Sequence, residues 1–204
     1  MRFIILFTLL ISSHFVNAAE YLCSNMKEQY DDIQLSEIKD YLASDFVDTG
    51  RPSKAILAAS IGDINYIKRQ KSFNTLFEAF YLTLSSDMLI FQDLLNLLEE
   101  YDINQRSIEG VTLLMMAVDC GKISAVKTFI EKGANVNLKV ENHGADALNM
   151  AVMTRNEDMV RYLISQGSNC KDSIYKNGVT VEELSKKIAN SNISNLISNC
   201  IKNR

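Results

Sequence analysis

The chain has 204 residues, 47% hydrophobic and 23% charged, with a formal net charge of −4 and four cysteines. That composition fits a folded globular chain and excludes a disordered or collagen-like one. The acidic balance lacks the clustered Lys and Arg on which nucleic-acid binding rests, so no nucleic-acid partner is expected.

The first eighteen residues read as a signal peptide. Arg2 supplies the positive end, Phe3 to Ile11 is apolar apart from Thr8, and Val16-Asn17-Ala18 offers a small-residue cleavage site before Ala19. The apolar run falls short of the ~20 residues that span a bilayer, which favours export with cleavage over anchoring. No later run is long enough to span. The expectation is an exported protein, periplasmic or secreted, with no stable membrane insertion after cleavage. Residues 19–51 carry Leu35, Ile38, Tyr41 and Leu42 at helical spacing and are expected to form an N-terminal helical cap, with Pro52, the one proline, at its boundary.

Beyond Pro52 the chain repeats itself. Ser53 to Lys68 has Ser53 at a helix N-cap position and Gly62 at a turn between two helices. The stretch from Asn74 to Asn104 keeps Asn74 as cap, the run Leu94-Leu95-Asn96-Leu97-Leu98 and the exit Asp102-Ile103-Asn104; its extra length around Ser85 to Phe91 reads as extended helices. The clearest phrase follows, because Gly110-Val111-Thr112-Leu113-Leu114-Met115-Met116-Ala117 returns 34 residues later as Gly144-Ala145-Asp146-Ala147-Leu148-Asn149-Met150-Ala151. Val126 is answered by Val160, Phe129-Ile130 by Leu163-Ile164, and Gly133 by Gly167. Thr112 is placed to cap a first helix that Gly121 ends, and Ile123, Val126, Phe129 and Ile130 mark an antiparallel second helix. Ala134-Asn135-Val136-Asn137 forms a turn-rich exit. The phrase restarts at Gly178-Val179-Thr180, and Ile193, Leu196 and Ile197 fill a last helix.

The pattern Gly110-x-Thr112 to Ala117, Gly121, Val126-Lys127 and Gly133 to Asn137 resembles the ankyrin repeat. The family's Thr-Pro-Leu-His is replaced by Thr112-Leu113-Leu114-Met115, and Asp146 stands for the Thr in the next unit. The resemblance implies an all-α helical solenoid of stacked helix-turn-helix repeats with short hairpin loops. Its units are read as residues 52–72, 73–106, 107–140, 141–174 and 175–204.

Catalytic parts are scarce. His14 leaves with the leader, and His143 falls at a hairpin tip, where a surface histidine is the expected role. Glu99-Glu100 and Glu182-Glu183 are consecutive on helices, so their side chains diverge. The glycines are spread over turns and form no phosphate loop, and no C-x-x-C spacing supports zinc or a dithiol redox centre. No enzyme activity, cofactor or metal is expected. Met116 and Met150 share a register position and are read as core, while Met115 faces a neighbouring hairpin.

Four cysteines, at 23, 120, 170 and 200, allow three pairings or buried thiols. Cys170 and Cys200 lie on adjacent units and are the preferred pair. The resemblance further implies a protein-binding surface at the hairpin tips and the far ends of the first helices. Carried onto this sequence, it comprises Ile108, Glu109, Val111, Asp119 and Cys120; then Asn142, His143, Ala145, Met153 and Thr154; then Lys176, Asn177 and Val179. The reading is therefore a non-catalytic scaffold that binds another protein outside the cytoplasm through a concave, hairpin-bearing face. The alternative is a stress-protective or structural envelope protein with redox-responsive cysteines.

Overall fold

A computed structural model describes residues 39–40, 42–43, 53–85, 90–141, 143–171 and 177–203. The leader, most of the N-terminal cap, Pro52, Asn142 and Lys176 lie outside the described residues. Ten complete helices and no strand occur among those described, arranged as five antiparallel pairs. They are α1 (Lys54–Ser60) with α2 (Ile64–Gln70), α3 (Phe73–Ser85) with α4 (Phe91–Leu98), α5 (Leu113–Asp119) with α6 (Ile123–Glu131), α7 (Ala147–Met153) with α8 (Glu157–Ser165), and α9 (Val181–Lys187) with α10 (Ser191–Lys202). The first helices pack successively in one layer, α1 on α3, α3 on α5, α5 on α7 and α7 on α9, and the second helices flank them.

Caps recur at the repeat spacing. Thr112 accepts from the Met115 N–H at 3.3 Å, Asp146 from Asn149 at 2.9 Å and Thr180 from Glu183 at 3.1 Å, each satisfying an amide that the first helical turn leaves without a partner. Asn149, at the family's His position, completes a capping box by accepting the Asp146 N–H at 3.1 Å. Ser53 caps α1 as expected. In the second unit the cap is Ser72, whose Oγ accepts from the Thr75 N–H at 3.5 Å. Asn74 lies inside the first turn of α3, and its side chain accepts instead from the Ile108 N–H of the next unit. Ser and Asn are both good caps, so the two candidates were separable only by three-dimensional context. The extra length of this unit appears in α3, of 13 residues against 7 in the other first helices; residues 86–89 lie outside the described residues.

The turn between helices needs a left-handed residue. Gly62 and Gly121 meet the need with φ of 72° and 67°, where glycine has no Cβ to clash. At the matching positions Arg155 and Ala189 hold φ of 56° and 55°, a conformation that costs a side-chain-bearing residue roughly 1 kcal/mol.

The apolar core runs continuously along the array. Leu113 to Val118 are all buried, as are Ala147 to Val152, because each first helix is enclosed by its two neighbours and its own second helix. Met115, at 1% exposure, is core rather than a hairpin contact, and Met116 and Met150 are buried as their shared register implies. Phe80, Phe91 and Phe129 join the second and third units, with ring centroids 5.6 to 6.2 Å apart.

Exit loops are stitched by asparagines 33 positions apart. Asn104 accepts the Asn135 N–H at 2.7 Å and donates to the Gly133 carbonyl at 3.3 Å. Asn137 accepts the Asn169 N–H at 2.8 Å and donates to the Gly167 carbonyl at 3.2 Å. At the next equivalent position stands Lys171, which offers no acceptor, and beside it Cys170 is disulfide-bonded to Cys200 of α10 across a Cα separation of 6.2 Å.

Two expectations follow. Asn137→Ala removes two bonds to the next unit's backbone and should lower unfolding free energy by about 2 kcal/mol, whereas Asn135→Ala, which removes one local bond to the Asn137 N–H, should cost about half as much in urea titrations. Replacing Cys170 and Cys200 by Ala should cost about 3–4 kcal/mol through the released loop of 30-residue separation, measured by denaturant unfolding under non-reducing conditions.

Candidate functional site

Hairpins carry the candidate residues into register. The Ser107 N–H donates to the Val111 carbonyl at 2.8 Å and the Gly110 N–H to the Ser107 carbonyl at 2.9 Å. In the next unit the Val140 N–H donates to the Ala145 carbonyl at 2.8 Å and the Gly144 N–H to the Val140 carbonyl at 2.7 Å. Arg106 bridges the two hairpins, donating to the Lys139 carbonyl at 3.2 Å and lying 3.8 Å from the Glu141 carboxylate.

Ile108 occupies the first tip at 84% exposure, the one large hydrophobic side chain so displayed among the described residues. Its backbone is fixed by Asn74 at 3.1 Å, so the apolar side chain stands on a pinned support. Glu109 is exposed beside it and accepts from the Ser107 hydroxyl at 3.0 Å. Val111 is half-buried. His143, in register with Glu109, is half-buried and accepts the Ala145 N–H on Nδ1 at 3.3 Å, which leaves the ring proton on Nε2 in the neutral tautomer. Asn177, in the same register one unit on, is exposed and accepts the Val179 N–H at 3.2 Å; Val179 is half-buried.

At the ends of the first helices, Met153 and Thr154 are half-buried, and the Thr154 hydroxyl turns back to the Met150 carbonyl at 3.1 Å. Two members of the expected surface are not available to a partner. Ala145 has no exposed surface because its small side chain is enclosed where the hairpin joins the helix, and Cys120 is 8% exposed and disulfide-bonded. Asn142 and Lys176 lie outside the described residues.

Asp119 is the electrostatic outlier. Its carboxyl is mostly enclosed, has no hydrogen bond or ion pair among the described residues, and is pushed up to about 6 by loss of hydration. Glu183 shifts the opposite way, held below the usual carboxylate range by the backbone N–H and hydroxyl of Thr180, at 2.9 and 3.2 Å. Among the described residues no group of three His, Cys, Asp or Glu side chains is arranged to hold a metal. A recess of about 270 Å³ lies away from the hairpins, between α8 and α10, lined by Arg161, Ile164, Leu196, Asn199, Cys200 and Asn203. No described helix is long and apolar enough to cross a membrane.

The Asp119 environment predicts a pH effect of fixed sign. The unfolded chain ionises this group near 3.8 and the native protein near 6, so native Asp119 retains a proton that the unfolded chain has lost, and stability falls as pH rises through that window. Asp119→Asn should therefore stabilise the protein more at pH 7.5 than at pH 4.5, by up to about 2 kcal/mol in urea unfolding.

The model for the family described as ankyrin repeats, in three copies, matches residues 81–174. A stretch of 76 residues, 37% of the chain, is 36% identical to ankyrin repeat and SAM domain-containing protein 6 of Rattus norvegicus, and covers 8% of that protein. Another of 84 residues, 41% of the chain, is 35% identical to BRCA1-associated RING domain protein 1 of Caenorhabditis elegans, covering 12% of it. The chain thus spans only a small part of the length of these curated relatives. Ankyrin repeats are protein-interaction modules and typically non-catalytic. The array is, across residues 81–174, a run of ankyrin repeats, extended by a helix pair on either side.

Proposed function

We propose that this chain is a non-catalytic scaffold that binds another protein outside the cytoplasm through its hairpin-bearing face. The observation that carries the reading is Ile108, an apolar side chain 84% exposed on a hairpin tip whose backbone the preceding unit holds in place. A fixed apolar residue beside acidic Glu109 supplies the mixture of apolar contact and polar rim that protein interfaces use, with little ordering cost on binding.

Action outside the cytoplasm is supported by the leader-like first eighteen residues and by the bonded state of Cys120, Cys170 and Cys200, since disulfides persist in oxidising compartments. The alternative of a redox-responsive envelope protein requires a disulfide open to thiol exchange. Cys170 and Cys200, at 3% and 6% exposure, are poorly reached by an attacking thiolate, which weighs against that role.

A partner isolated by cross-linking to the mature chain should bind the Ile108→Asp, Glu109→Lys double variant at least tenfold more weakly, with unchanged circular dichroism, as measured by calorimetry. Equal affinity would remove this tip from the interface. Fractionation of the producing cells separately tests location, and recovery of the mature chain in the cytoplasm would defeat the export reading.

A further inference from the structure

Cys120 follows the last residue of α5, is 8% exposed and is disulfide-bonded. Cys170 and Cys200 are bonded to each other. The chain has four cysteines, so the one partner left within it is Cys23. We propose that the N-terminal arm is covalently fastened to the array by a Cys23–Cys120 disulfide and is thereby strapped across the first helices of the first three units.

The reach is sufficient. Leu42 packs against Leu57 of α1, which fixes where the arm meets the array. From α1 to α5 the first helices pack α1 on α3 and α3 on α5. At a usual interaxial distance of ~8–10 Å, two such steps amount to about 20 Å. Nineteen residues separate Cys23 from Leu42. They would cover about 28 Å as a helix and up to about 65 Å when extended, so either conformation spans the gap.

Forming the bond converts two thiols to one disulfide. Two protons and two electrons pass to an oxidised dithiol acceptor, whose own disulfide is reduced to a dithiol. The proposal therefore rests on the oxidising destination in the reading above, but not on any binding partner. It also changes the usable surface. The helix end at Asp119 and Cys120 is taken by the chain itself, and a foreign partner is left with the hairpin tips and the Met153 and Thr154 helix end.

The test is proteolysis without reductant of the full mature chain recovered from the producing cells, followed by mass spectrometry. A peptide containing Cys23 linked to one containing Cys120 is expected. A free Cys23 thiol, or Cys23 joined to another molecule, overturns the pairing. For the strap, Cys23→Ser and, independently, Cys120→Ser should speed protease cleavage within residues 24–38 at least tenfold. Mild reduction of the parent chain gives the same comparison should either variant fail to fold. Cleavage as fast in the oxidised parent as in the variants or the reduced parent overturns the strap. Protein that is fully reduced in its cells yet forms the same link on oxidation in vitro upholds the pairing and removes the export reading instead.

Discussion

Each exit loop of the array leaves backbone amides and carbonyls that its own two helices cannot satisfy, and an asparagine of the preceding unit supplies the partners. Asn104 and Asn137 each offer one acceptor and one donor, and each uses both on the next unit's loop. The geometry requires a short side chain carrying both functions, which is why Asn serves there and Ala would not. The stitch sets the offset between successive units, and the offset sets which apolar side chains meet. Phe80 reaches Phe129, and Leu113 to Val118 are enclosed, because the loops hold that spacing. An array unit cannot bury its apolar surface alone, so these contacts between neighbours carry its stability.

Much of this was legible in the chain. Thr112, Asp146 and Thr180 stand 34 residues apart and cap as their side chains dictate, and the apolar spacing located both helices of the strongest units. What stayed hidden depended on partners distant in sequence. Asn74 looks like a cap by composition, yet Ser72 caps and Asn74 reaches the next hairpin. Arg155 and Ala189 carry no sign of left-handed backbone, because the signal for such a turn is glycine and the chain omits it there. Residue type could not show that Ala145 is sealed off while Ile108 protrudes; burial at a hairpin base and exposure at its tip are properties of the stack.

The candidate surface combines three physical situations. Ile108 pays a hydration cost in the free protein that a partner would relieve. Asp119 pays a charge-desolvation cost that helps neither fold nor cap, and lies next to a cysteine already committed to a covalent bond. Met153 and Thr154 occupy the equivalent helix end one unit on, without such a bond at that position. The same positions of successive repeats have thus diverged in availability as well as in chemistry.

Where the asparagine series gives way to Lys171, a covalent link takes over, and this has a consequence for how the sequence can drift. The Cys170–Cys200 bond limits what the unfolded chain can explore, so the last two units keep their association even where local fit is imperfect. The unfavourable turns at Arg155 and Ala189 both fall within those two units. Stability supplied by a cross-link relaxes selection on neighbouring backbone positions, which can then exchange glycine for residues that a purely hydrogen-bonded array would tolerate less well.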